Sequence, residues 1–153
     1  MSSMINHLKI LYNNPFIFSY ILYCFYKELP QKSNNLLLSY LVFPLSLYPA
    51  SQTFLKNANK RSRLLNLTKK HERIYGLQER INDFKIITNM TLQYNIDREI
   101  FEFNNSLTIN VLNELSNEYD FNNDASKAAE KLAKLVSAYD IQTTYRMLGV
   151  KQL

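Results

Sequence analysis

The side chains of this sequence that are able to do chemistry gather in one stretch. Lys56, Lys60, Arg61, Arg63, Lys69, Lys70 and Arg73 put seven cations into eighteen residues, opposed only by Glu72. The segment carries +6 and the whole chain +5, so the remaining residues together come to −1. A local basic patch on a near-neutral body is the electrostatic footprint of contact with nucleic acid or another polyanion, because each cation that meets a phosphate releases condensed counterions. The competing reading is a solvated helix and loop face, the ordinary fate of a charge run.

No other residues have the types and spacing of a reactive site. Cys24 is the single cysteine, so an internal disulfide or a cysteine metal cluster is excluded. It sits in a dense apolar run, where a free thiol acts as a small hydrophobe rather than a nucleophile. His7 and His71 stand far apart, and neither has a second histidine or a carboxylate at the helical spacing of a zinc site. The carboxylate pairs Asp97 with Glu99 and Glu114 with Glu118 read as solvated faces. Gly76 and Gly149 lack the glycine partners that a phosphate-cradling loop needs. The expectation is a protein that is not an enzyme and carries no cofactor or metal.

The elements that position the basic stretch begin with residues 14–48, two apolar segments separated by a polar break. Between Phe16 and Tyr26 only Ser19 is not apolar. Asn14 and Pro15 read as the cap and first residue of a helix over 15–29, since an Asn oxygen accepts an orphan N–H and proline has none to orphan. A helix apolar all round needs neighbours on several sides, from this chain or from a partner. A second helix over 35–48 should bend or end at Pro44, and Ser51 reads as the cap of a third over 51–58. Upstream, Ile5, Leu8, Leu11 and Tyr12 suggest a short amphipathic helix within 1–13. The apolar runs fall short of the roughly 20 residues of a membrane span. Asn13, Asn14 and Pro15 interrupt a secretory signal. A cytoplasmic location, with no membrane contact, is expected.

Past the basic stretch, with Leu64, Leu65 and Leu67 as its apolar anchors, comes a long amphipathic helix over 74–94. Its stripe is Leu77, Ile81, Phe84, Ile87, Met90 or Thr91, and Tyr94. Residues 98–103 and 107–111 alternate as strands do. A loop of Asn104, Asn105 and Ser106 would pair Phe103 with Leu107 and Phe101 with Ile109, with an asparagine taking the left-handed conformation. An alanine-rich helix over 124–139 follows, and Asp140 caps a last helix that Gly149 stops. The predicted fold is mainly α with one β-hairpin, a winged helix-turn-helix-like α+β single domain. Its parts are an aromatic-rich helical part (1–58), the long helix with its hairpin wing (59–112) and the C-terminal helices (113–153).

Several ordered motifs carry a family resemblance. They are Tyr12-Asn13-Asn14-Pro15-Phe16 before the aromatic helix, Phe43-Pro44-Leu45 in the second, Gly76-Leu77-Gln78-Glu79-Arg80 opening the long helix, the hairpin, and the ending Tyr145-Arg146-Met147-Leu148-Gly149-Val150-Lys151. On these the chain resembles the middle component of bacterial three-component ABC systems (ABC-3C), the class that includes the Lamassu-type anti-phage small subunit. It departs at Tyr48-Pro49-Ala50, where family members often have a basic, His-Lys-like step. A partner contact made there would have to be remade, by Lys56 or Lys60.

The resemblance implies a non-catalytic adaptor between an SMC-like ABC ATPase that senses DNA and an effector nuclease, with double-stranded DNA reached through the complex. The alternative from the basic stretch is a stand-alone winged-helix DNA-binding regulator, whose affinity would fall steeply with salt. The long helix has mixed charge and the hairpin tip is not basic, which argues against major-groove reading.

Overall fold

The computed structural model describes residues 14–153. The helix expected within 1–13, and His7, lie outside the described residues. Helix α1 spans Pro15–Glu28 with proline at its first position, and Asn14 Oδ1 accepts the Phe16 N–H at 3.0 Å. Most of its apolar circumference is covered by the chain itself: α1 packs against three later helices and the second strand. Phe18 and every residue from Ile21 to Tyr26 are buried. Ser19, the polar exception, donates to Asn95 Oδ1, and Asn95 Nδ2 donates back to the Ser19 carbonyl at 3.3 Å. A buried hydroxyl is tolerated because it is paired.

The second apolar run divides into a 3₁₀ turn, Asn35–Leu38, and helix α2, Ser39–Ser46. Pro44 lies inside α2, has no N–H to offer the preceding turn, and the helix stops two residues later. Helix α3 is Pro49–Lys56 and not a helix capped by Ser51. Proline at the first position fixes φ and has no orphan N–H, so the helix opens there on an extended Tyr48. Ser51 is instead buried in the first turn, donating to the Leu45 carbonyl at 2.6 Å.

Two short helices, α4 (Leu64–Thr68) and α5 (His71–Ile74), lie within the basic stretch, joined by turns and loop. The long helix α6 is Leu77–Asp97. It starts later than its hydrophobic pattern suggests because Gly76, at φ +68°, breaks the chain between α5 and α6. Leu77, Ile81, Ile87 and Thr91 are buried, while Met90 is 39% exposed, so Thr91 is the residue that faces the core at that turn.

Strands β1 (Phe101–Asn104) and β2 (Thr108–Val111) form an antiparallel pair. The loop has the expected three residues but begins one residue later. Phe103 pairs with Ile109 and Phe101 with Val111, and the left-handed residue is Leu107, at φ 53°, rather than an asparagine. Two local bonds explain the shift. Asn104 Oδ1 accepts the N–H and hydroxyl of Ser106 at 3.0 and 2.7 Å, which fixes Asn104 as the strand's last residue. The Leu107 carbonyl accepts the Leu36 N–H at 3.0 Å, a tertiary bond that holds leucine where it is intrinsically unfavourable.

The hairpin does not stand free of the body. Asn34 N–H donates to the Ser106 carbonyl at 3.2 Å. The buried Asn35 side chain accepts the Ile109 N–H at 2.6 Å and donates to the Ile109 carbonyl at 2.9 Å. Asn35 thus supplies what a third strand would supply at that point. Helix α7, Asn123–Val136, is capped by Asn122 Oδ1 on the Ala125 N–H at 3.1 Å. Ala125, Ala128, Ala129 and Ala133 are fully buried, and their small side chains let α7 pack closely on α1, α2 and α3. Lys32 Nζ donates to the Val136, Ser137 and Tyr139 carbonyls at the end of α7, a cation at the negative end of a helix. Helix α8, Ile141–Met147, is capped by Asp140. It closes with Gly149 at φ 73°, where Gly149 and Val150 N–H groups donate to the Arg146 and Tyr145 carbonyls. The described fold is mainly helical with one two-stranded antiparallel sheet, a single domain. None of its helices is long and apolar enough to cross a membrane.

Candidate polyanion-binding segment

The basic stretch is pinned at a few points. Leu64 and Leu67 are fully buried and anchor α4, whereas Leu65, expected as a third anchor, is 56% exposed. The loop ahead of α4 is closed locally: Asn59 Oδ1 accepts the Arg61 N–H at 2.8 Å and Ser62 Oγ accepts the Asn59 N–H at 3.0 Å. Asn66 Oδ1 accepts the Arg63 N–H at 2.7 Å, which caps α4.

The seven cations divide by what they touch. Lys56 lies 3.6 Å from Asp124 at the start of α7 and joins α3 to α7. Arg63 turns back on its own loop, donating to the Lys60 and Ser62 carbonyls at 3.0 and 3.1 Å. Arg73 is half-buried, its guanidinium 4.3 Å from the centre of the Phe54 ring and donating to the Asn66 carbonyl at 2.8 Å. Lys60, Arg61, Lys69 and Lys70 are exposed, and among the described residues none of the four has an ion-pair partner. Of the seven, three serve the scaffold and four point charge at solvent.

The remaining candidates are structural or solvated. Cys24 is fully buried, and burial first, then the Glu130 charge, pushes its thiol up to about 12, which leaves it inert as a nucleophile. His71 is exposed and rests against the Tyr75 ring. Asp97, Glu99, Glu114 and Glu118 are exposed. Among the described residues no group of His, Cys, Asp and Glu has the arrangement of a metal site.

Two features were not marked by residue type. Arg80 lies 3.7 Å over the Tyr48 ring, donates through Nε to the Pro44 carbonyl at 3.1 Å and through Nη1 to the Tyr75 carbonyl. Burial lowers its pKa from the usual arginine range. It therefore joins the start of α6 to the Pro44–Tyr48 segment, two places that are remote in sequence. The second is acidic: Asp97, Glu99, Glu102, Glu114, Glu118 and Asp120 fall between residues 97 and 120 with Arg98 as the sole cation. A whole-chain sum conceals this, since the near-neutral remainder is itself a mixture of basic and acidic parts.

A family model described as ABC-three component (ABC-3C) system Middle Component 3 matches residues 2–152. The chain belongs to that family. Comparisons with curated proteins and with solved structures give no match. As a middle component of a multi-component system, the chain works alongside other ABC-3C components. Arg80, Pro44 and Gly76 belong to the motifs that carried the resemblance, and in the fold they meet at one junction.

Proposed function

We propose that this middle component is a non-catalytic adaptor that joins an SMC-like ABC ATPase, the DNA sensor, to an effector nuclease in a cytoplasmic defence complex of the Lamassu type. Family membership over residues 2–152 carries the reading. Exposed apolar side chains are available for such contacts: Phe103 and Leu107 in the hairpin, Leu112 and Phe121 after it, and Ile86 on α6. The helix-then-hairpin order, with the hairpin as a winged-helix wing, would serve here to display Phe103 and Leu107 to protein rather than to read bases.

In the same reading the four solvent-directed cations, Lys60, Arg61, Lys69 and Lys70, touch the phosphates of duplex DNA held by the complex. Reconstitution tests the adaptor role. The ATPase and the effector should copurify when all three components are produced together and separate when this chain is omitted. Copurification of the two without it would remove the role. The stand-alone regulator reading draws on the same four cations. It predicts tight duplex binding by the free chain with a log–log salt slope of about −4, near −0.9 per phosphate neutralised.

A further inference from the structure

A groove of about 500 Å³ runs between α3 and the basic segment. Ala50, Thr53 and Phe54 contribute one face of α3, by their spacing of three and four residues, and Asn57 follows at its C-terminal cap. Ala58, Ser62, Lys70, Glu72 and Arg73 complete the lining. Arg73 is the organising group. One face of its guanidinium is packed on Phe54 and one N–H is taken by the Asn66 carbonyl, so the fork is fixed before any ligand arrives. Among the described residues its other N–H groups have no hydrogen-bond acceptor. Lys70, three residues earlier, is exposed and has no ion-pair partner among the described residues. Ser62 Oγ already accepts a hydrogen bond from Asn59 N–H, which leaves its proton to donate.

We propose that this groove is a phosphate-ester seat and that its occupant is a backbone phosphodiester of nucleic acid. The proposal rests on the reading of the basic segment as a DNA contact and centres it on Lys70 and on Arg73, whose anchoring to the scaffold is what orients it. A pre-oriented guanidinium takes two oxygens of a phosphate through parallel N–H donors, Lys70 adds a point charge, and the Ser62 hydroxyl takes a further oxygen. Lys60, Arg61 and Lys69 lie outside the groove lining and extend the positive field to neighbouring phosphates. A single small anion would need only the seat, and this wider field favours a polymer. Glu72, in the same lining, opposes an anion and sets an upper limit on affinity.

The test is fluorescence anisotropy of a short labelled DNA duplex with the full chain at low salt. Lys70→Gln and Arg73→Gln should each weaken binding about tenfold, the scale of one charge-assisted hydrogen bond, and each should make the salt slope shallower by about 1. Arg73→Lys, which keeps the charge and loses the fork, should weaken it several-fold. Glu72→Gln should tighten it several-fold; this exposed residue and Lys70 keep the test informative if Arg73→Gln fails to fold. If Lys60→Gln with Arg61→Gln weakens binding while Lys70, Arg73 and Glu72 variants do not change it, the seat is wrong and the DNA contact stands. If none of the variants changes it, or the chain does not hold the duplex, the DNA contact itself fails. Competition by adenosine monophosphate as effective, phosphate for phosphate, as by unlabelled duplex would make it a small-phosphate site and overturn the polymer assignment. Equal competition by polyglutamate would overturn the phosphate assignment.

Discussion

Replacing Asn35 by leucine tests how the hairpin is held. Leucine has the same number of side-chain heavy atoms as asparagine but is apolar, so both side-chain bonds to Ile109 go. The Ile109 N–H and carbonyl, now bonded at 2.6 and 2.9 Å in a buried setting, would be left without partners. Each unsatisfied buried group costs about 1–3 kcal/mol, so the variant should lose about 4 kcal/mol. That is a large share of the roughly 5–15 kcal/mol a domain of this kind has. The Leu36 and Asn34 N–H bonds to the loop depend on the same register and should weaken with it. Chemical denaturation gives the stability change, and native-state hydrogen exchange locates it. Residues 101–111 should lose protection first, while α1 and α7 keep theirs. A loss under about 1 kcal/mol with unchanged hairpin exchange would refute the reasoning. The hairpin would then be held by Phe101 and Ile109 in the core, with Asn35 incidental.

Three further outcomes follow from side chains already described. Cys24, with its thiol pushed up to about 12 by burial, should resist iodoacetamide at pH 8 in the native protein and react at once in denaturant; native-state labelling at the rate of a free thiol would contradict its burial. The Thr143 N–H bonded to Asp140 depresses the Asp140 carboxyl, so its stabilisation is complete above the ordinary aspartate range and is lost as pH falls through the lower folded value. Asp140→Asn should remove that part of the acid dependence, which a pH series of urea midpoints would detect. Arg80→Ala removes the stacking on Tyr48 and the bonds to the Pro44 and Tyr75 carbonyls, and should cost about 2 kcal/mol. An unchanged thermal midpoint would mean the junction does not depend on Arg80.

Where a signal was local, the sequence carried it. Asn14 with Pro15, Asp140 with its helix, and Gly149 after α8 set their elements through bonds that reach no more than a few residues. The apolar run from Phe16 to Tyr26 demanded burial on all sides, and the chain supplies it for Phe18 and for Ile21 to Tyr26 while Phe16 stays 37% exposed. Long-range bonds were invisible. Leu107 sits in the left-handed region because Leu36, 71 positions earlier, takes its carbonyl, and no hairpin rule for asparagine anticipates that. Ser51 had the right chemistry for a cap, but Pro49 had already opened the helix two residues before it. The candidate site shows the same division. Composition located the cations, but only the fold shows that Lys56 is engaged by Asp124, Arg63 by its own loop and Arg73 by Phe54, leaving four of the seven directed at solvent.

The measurement that tests the adaptor account most directly is gentle affinity purification of the tagged chain from its native host, with the mass of the intact assembly. The account predicts a coiled-coil ABC ATPase and a nuclease subunit in fixed ratio with this chain. Recovery of the chain alone, or as a homodimer, would contradict it.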